Sequence, residues 1–128
     1  MLKESHAFSG FSVKDVDSTV SFYQDTLGLD VEVTDMGLQL HLAGGTTIFM
    51  YVRNNDVPAE YTILNFPVDD VERAVDELSA KGIEFLKYPD MPAPQDEKGI
   101  LHGKASGYGP DIAWFKDPSG NTLSVLNK

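Results

Sequence analysis

The segment FSVKDVDSTV, beginning at Phe11, returns as FPVDDVERAV beginning at Phe66, 55 residues further on. A repeat at a fixed offset constrains a fold more than composition does, because each copy must be one supersecondary unit burying the same face. Phe11, Val13, Asp15, Val16 and Val20 match Phe66, Val68, Asp70, Val71 and Val75. In each copy alternating apolar residues give way to a helical period: Val16, Val20, Tyr23 and Leu27 in the first, Val71, Ala74, Val75 and Leu78 in the second. Asp15 and Asp70 stand where a carboxylate accepts the free amides of a first helical turn. Gly28 and Gly82 stand where a left-handed residue ends the helix. Both copies read as strand then helix, with the two acids structural.

After each helix the apolar period becomes two. LDVEVT, LQLHLAG and TTIFMYV follow the first helix, and IEFLKY, DIAWFK and NTLSVL follow the second. Each half is therefore βαβββ, and the chain is expected to be one domain over 1–128, with module one at about 5–53 and module two at about 61–127. RNNDVPAE, polar and proline-bearing, reads as the linker. PDMPAPQDEKGILHGKASGYGP, rich in Pro, Gly and charge, reads as a mobile surface loop over 89–110, either a solvated excursion or a flap over a site.

Composition narrows the partners. Twenty acids against ten bases give a formal charge of −10. That sign is wrong for releasing counterions from a phosphate backbone, so no nucleic acid is expected. No stretch approaches the roughly 18 apolar residues that cross a bilayer, and MLKESHAFSGF has no signal-peptide core. No membrane association and a cytoplasmic location are the expectation. Cysteine is absent, which removes thiolate ligands and nucleophiles. No serine sits in a nucleophile elbow, no glycine-rich phosphate loop follows a strand, and Asp69 with Asp70 lies at a helix start rather than forming an acid–base pair.

Two tandem βαβββ halves, the aromatic pair in SFYQDTLGL and the closing DPSGN together resemble the vicinal oxygen chelate superfamily, the glyoxalase I, bleomycin-resistance and extradiol dioxygenase group. The resemblance covers nearly the whole chain. It implies an α+β fold in which two tandem βαβββ modules form a cup-shaped mixed sheet, helices outside and a ligand site in the hollow. It also implies homodimers, sometimes with modules exchanged between chains. In metal-using members four inward side chains hold a divalent cation, and those positions correspond here to Phe8, Phe49, Ile63 and Ser124. A zinc or hard divalent ion needs imidazole or carboxylate ligands, which these residues do not supply. The departure argues against a metal and a cofactor, and with them the family's metal-dependent activities.

The hollow would remain. Strand alternation places Phe8, Gly10, Ser12, Gln39, His41, Thr47, Phe49 and Tyr51 on the ligand face of module one. It places Ile63, Asn65, Pro67, Trp114 and Ser124 on that of module two. Phe11, Val13, Leu38, Leu40, Leu42, Phe66 and Val68 then face the helices. A mixture of aromatic and neutral polar side chains suits a small-molecule pocket. The expected ligand-binding residues are Phe8, Ser12, Gln39, His41, Phe49, Tyr51, Asn65, Trp114 and Ser124.

Two functions fit. One is a bleomycin-resistance-like protein that sequesters or carries a small aromatic or cationic compound, the acidic charge favouring a cation. The other is a metal-independent lyase or isomerase in which His41, with Gln39, Asn65 or Ser12, polarises a carbonyl or moves a proton. If the four family positions hold no cation, added zinc, nickel, manganese or iron leaves the melting temperature unchanged. A chelator-reversible rise with any one of them would overturn the assignment of those positions.

Overall fold

The computed structural model describes residues 1–54 and 57–128. Asn55 and Asp56 of the expected linker lie outside the described residues. The architecture is α+β, with two βαβββ-like modules that each form a four-stranded mixed sheet. The compact units are Met1–Pro58 and Ala59–Lys128.

In the first unit β1 (Gly10–Val13) leads into α1 (Val16–Val20), which continues as a wider, π-type turn over Ser21–Thr26. β2 (Asp30–Thr34), β3 (Gly37–His41) and β4 (Thr47–Val52) follow, in the sheet order β1-β4-β3-β2. β1 pairs with β4 in parallel, and the other pairs are antiparallel. The repeat's acid acts as expected: the Asp15 carboxylate accepts from the Ser18 amide at 2.8 Å. That bond and a second from the Ser18 hydroxyl hold the carboxyl below its ordinary value. Gly28 closes the segment with φ +74.

Helical period alone places Val16, Val20, Tyr23 and Leu27 inward. The buried side chains are instead Thr19 of α1 and Phe22 and Tyr23 of the π-type turn, while Val16, Val20 and Leu27 are half-buried. Tyr23, fully buried, meets Phe22 edge-on at 5.1 Å and Phe11 at 6.2 Å. Phe11, Val13, Leu38, Leu40, Ile48 and Met50 complete this core. Leu42, expected there as well, is only half-buried past the end of β3.

In the second unit β5 (Thr62–Val68) leads into α2 (Val71–Ala80), capped by Asp70 through the Arg73 amide at 3.1 Å. β7 (Asp111–Lys116) and β8 (Thr122–Asn127) form the centre of the sheet, β8 pairing with β5 in parallel. Val71 and Val75 of α2 bury against a face made by Ala113, Phe115, Leu123 and Val125.

The expected strand IEFLKY does not form as one. It makes a single bridge, Phe85 to Phe115, and one ladder-like bond from the Leu86 amide to the Trp114 carbonyl at 2.8 Å. β6 is instead Leu101–His102, drawn from the long segment and paired with Ile112 and Asp111. A side chain satisfies the backbone left over. The Gln95 carboxamide donates to the carbonyls of Leu86 (3.0 Å) and Gly99 (2.8 Å) and accepts from the Tyr88 amide at 2.6 Å.

The segment 89–110 is accordingly packed in part, while residues 104–110 are exposed. Ala93, Ile100, Leu101 and Gly103 are buried, and the short helix α3 (Gly103–Ser106) lies within it. Lys98 reaches Glu72 and Asp76 of α2, each at 2.9 Å. Partial burial pushes the Asp96 carboxyl up. A hydrogen bond from His102 at 2.7 Å and the amides of Ile100 and Lys98 outweigh it and hold the group below its ordinary value.

DPSGN closes the hairpin between β7 and β8. Asp117 Oδ1 accepts from the amides of Ser119 and Asn121, and Gly120 donates to the Asp117 carbonyl at φ +92. Asn121 then accepts from the Ala59 amide at 3.0 Å, tying the turn to the start of the module.

Two glycines separate conformational from steric demand. Gly28 has open space around it, whereas a Cβ at Gly37 would lie 2.6 Å from the Met50 carbonyl oxygen at φ +148. Gly28→Ala should cost about 1 kcal/mol, from the left-handed backbone alone. Gly37→Ala should cost about 3 kcal/mol, since a β3–β4 backbone contact must also open. Chemical denaturation of the two variants reads the difference, and equal losses would refute the steric account.

Candidate ligand site

One side of each sheet is filled by its helix, so candidate chemistry lies on the other. In module two the register pairs Trp114 with Ser124, Lys116 with Thr122 and Asn65 with Ser124. These side chains share the face away from α2. β5 reaches it with an irregularity: pairing shifts between Thr62 and Leu64, so Thr62 faces with Thr122 while Leu64 returns to the core. Ile63, expected on the ligand face, falls in this bulge.

The bulge has a chemical result. Thr62 Oγ1 accepts the indole N–H of Trp114 at 3.1 Å. Tyr88 packs on the same indole, centroids 5.6 Å apart and rings nearly perpendicular. Trp114 is half-buried with its polar atom satisfied, a fixed aromatic surface. Ser124 is fully buried and donates to Asn65 Oδ1 at 2.6 Å, so its hydroxyl proton is committed.

A cavity of about 370 Å³ opens beside this cluster, lined by Glu60, Leu86, Lys87, Tyr88, Lys116 and Thr122. A second, of about 470 Å³, lies behind Tyr88 and is lined largely by the proline-rich part of the long segment. Burial first, and the Glu60 charge second, push the Tyr88 phenol above its ordinary value. It remains a neutral O–H donor through the physiological range. Sequence reasoning found Trp114, Asn65 and Ser124 but missed Thr62, Glu60, Lys87, Tyr88 and Lys116. Alternation along DIAWFK would have given Lys116. Thr62 depends on a bulge that strict alternation cannot show.

Module one presents Ser12, Gln39, His41, Thr47, Phe49 and Tyr51 on the face away from Tyr23, as alternation requires. Phe49 and Tyr51 stack at 6.2 Å. His41 Nε2 lies 2.9 Å from Glu32 Oε1, and Nδ1 lies 3.2 Å from Thr47 Oγ1. The imidazole is thus fixed between a carboxylate and a hydroxyl. Phe8 stands in the extended chain before β1, highly exposed.

A family model described as the Glyoxalase/Bleomycin resistance protein/Dioxygenase superfamily matches residues 6–125. The chain belongs to this superfamily. A glyoxalase family protein from Enterococcus faecalis superposes with a TM-score of 0.67 at 20% identity, covering 99% of this chain and 100% of the other. A superfamily member from Sphaerobacter thermophilus gives 0.66 at 19% identity, covering 98% and 99%. TnmS3, an antibiotic-binding protein from Streptomyces sp. CB03234, gives 0.62 at 21% identity, covering 96% of each. No curated protein matches the chain.

The superfamily's metal positions can be tested on the side chains present. Phe8 and Phe49 in module one and Ile63 in module two offer no ligand atom, and the Ser124 hydroxyl already serves Asn65. Among the described residues no three His, Cys, Asp or Glu side chains gather as a metal site. This donor set does not fit a hard divalent cation or zinc.

The Thr62 contact is open to direct test. Thr62→Val keeps the side chain's shape and leaves the indole N–H without its acceptor, which should cost about 1 kcal/mol of stability. The emission of Trp114, the one tryptophan in the chain, should shift with it. Unchanged stability and emission would mean the contact contributes nothing.

Proposed function

We propose that this superfamily member is a small-molecule binding protein, bleomycin-resistance-like, which sequesters or carries a small aromatic compound. The observation that carries the reading is the Trp114 cluster. An indole fixed by Thr62 and Tyr88 stands beside a cavity of about 370 Å³, within the size range of small-molecule pockets. TnmS3, similar in fold, binds an antibiotic by its description, which supports a binding role without naming a ligand here. A cytoplasmic homodimer belongs to the same proposal. No helix among the described residues is long and apolar enough to cross a membrane.

With no metal ligands in the four superfamily positions, affinity must come from apolar burial, stacking and a few directed hydrogen bonds. The expected preference for a cation rests on net charge, which acts over the whole surface. Selection within the cavity rests on its own side chains.

A second reading has its own support in module one, where Glu32 and Thr47 fix His41 in the manner of an oriented general base. In that case the protein is a metal-independent lyase or isomerase, and Glu32 positions the imidazole.

Native mass spectrometry of freshly purified protein identifies the bound compound, and titration followed by tryptophan emission measures its affinity. Trp114→Ala should weaken binding by about 2 kcal/mol, and Ser124→Ala by well under about 1. His41→Ala should leave affinity unchanged. Loss of turnover with affinity kept in His41→Ala would favour the enzyme, and a ligand that binds without touching Trp114 emission would remove the proposed site.

A further inference from the structure

We propose that the cavity beside Trp114 selects a small planar organic anion. Its acidic group lies with the ammonium groups of Lys87 and Lys116, and its ring lies against Leu86 and Tyr88. The inference rests on the binding function proposed for this face and adds the charge of the ligand, opposite to the one that overall composition favours.

Acids outnumber bases twenty to ten, and carboxylates hold several of the cationic side chains. Lys98 meets Glu72 and Asp76, Lys128 meets Asp69, Arg73 meets Glu77 and Lys3 meets Glu4. Lys87 and Lys116 differ. Both line one cavity, and neither forms an ion pair among the described residues. Two lysines against one carboxylate, Glu60, leave the wall with one net positive charge. An anion placed there relieves the repulsion between the two ammonium groups and gains charge-assisted hydrogen bonds.

The remaining wall defines the rest of the ligand. Leu86 donates its amide to the Trp114 carbonyl, and Lys116 lies two residues from Trp114 on the same face. The apolar and cationic parts of the wall are therefore contiguous. Tyr88 supplies a neutral phenol O–H, kept protonated by burial and by Glu60, and its ring already packs on Trp114. The Thr122 hydroxyl is spent on the Ala59 carbonyl at 3.1 Å. Donors to the ligand thus come from the two lysines and the phenol, a set that matches carboxylate, sulfonate or phenolate oxygens.

The test uses three probes of one shape, para-nitrobenzoate, para-nitrobenzamide and para-nitrobenzylammonium, titrated at neutral pH and low ionic strength. Quenching of Trp114 is the readout. The expected result is that the carboxylate binds roughly ten-fold more tightly than the amide, an advantage of about 1.4 kcal/mol, and that added salt erodes it. Lys87→Met and Lys116→Met should each reduce that advantage, and Lys116→Arg should keep it. Equal binding of carboxylate and amide, or tighter binding of the ammonium, overturns the anion assignment and leaves an aromatic-binding site standing. Failure of all three to quench Trp114 overturns both.

Discussion

The first strand of each module lies parallel to its last, and the rest of the architecture follows from that pairing. β1 finds β4 and β5 finds β8 across the whole length of their modules. No hairpin can join parallel neighbours, so the helix that follows the first strand must cross over the sheet and cover one of its faces. This is why the apolar halves of the strands converge on Tyr23 in one unit and on Val71 and Val75 in the other. It is also why the opposite faces are left for polar and aromatic side chains. The DPSGN turn strengthens the closure in module two, because the Asn121 side chain and the Thr122 backbone and hydroxyl all engage Ala59 at the module's entry.

Within that frame one side chain replaces a strand. IEFLKY has the alternation of a strand, but the prolines that follow carry the chain away, and its carbonyl and amide groups need other partners. Gln95 provides them with three hydrogen bonds, while Leu101–His102 takes up pairing further along β7. Tyr88 is held in place by this substitution, since its amide is one of the groups that Gln95 engages. The aromatic wall of the cavity therefore depends on a carboxamide seven residues away.

Charge works at two ranges. The net charge of −10 sets the long-range field and argues against nucleic acid. At contact distance the cavity's own groups count most, and there Lys87 and Lys116 form no ion pair among the described residues. Local pairing decides what a cavity attracts when its own groups lie closer than the Debye length.

The repeat, the two caps and the inward set Phe11, Val13, Leu38, Leu40, Val71 and Val75 were legible in the sequence. They depend on local periodicity and on side chains bonding their own helix. So were the neutral character of the four superfamily positions and the placement of Trp114 opposite α2. Three features were not legible. Burial in the first helix fell on Thr19 and Phe22 beside Tyr23 rather than on Val16 and Val20, a choice of face that packing makes. The bulge at Thr62 turned toward Trp114 a residue that strict alternation would put on the same face as Leu64, because register in a parallel pair is set by a partner some sixty residues away. Part of the long loop is held down by Gln95, Asp96 and Lys98, each bonding to groups its own neighbours in sequence do not identify. Sequence determined which residues belong to a core and which carry no metal ligand, since those are properties of single side chains and their periods. Only the tertiary structure decided which polar groups meet, because hydrogen bonds and unpaired charges depend on distances between segments far apart in the chain.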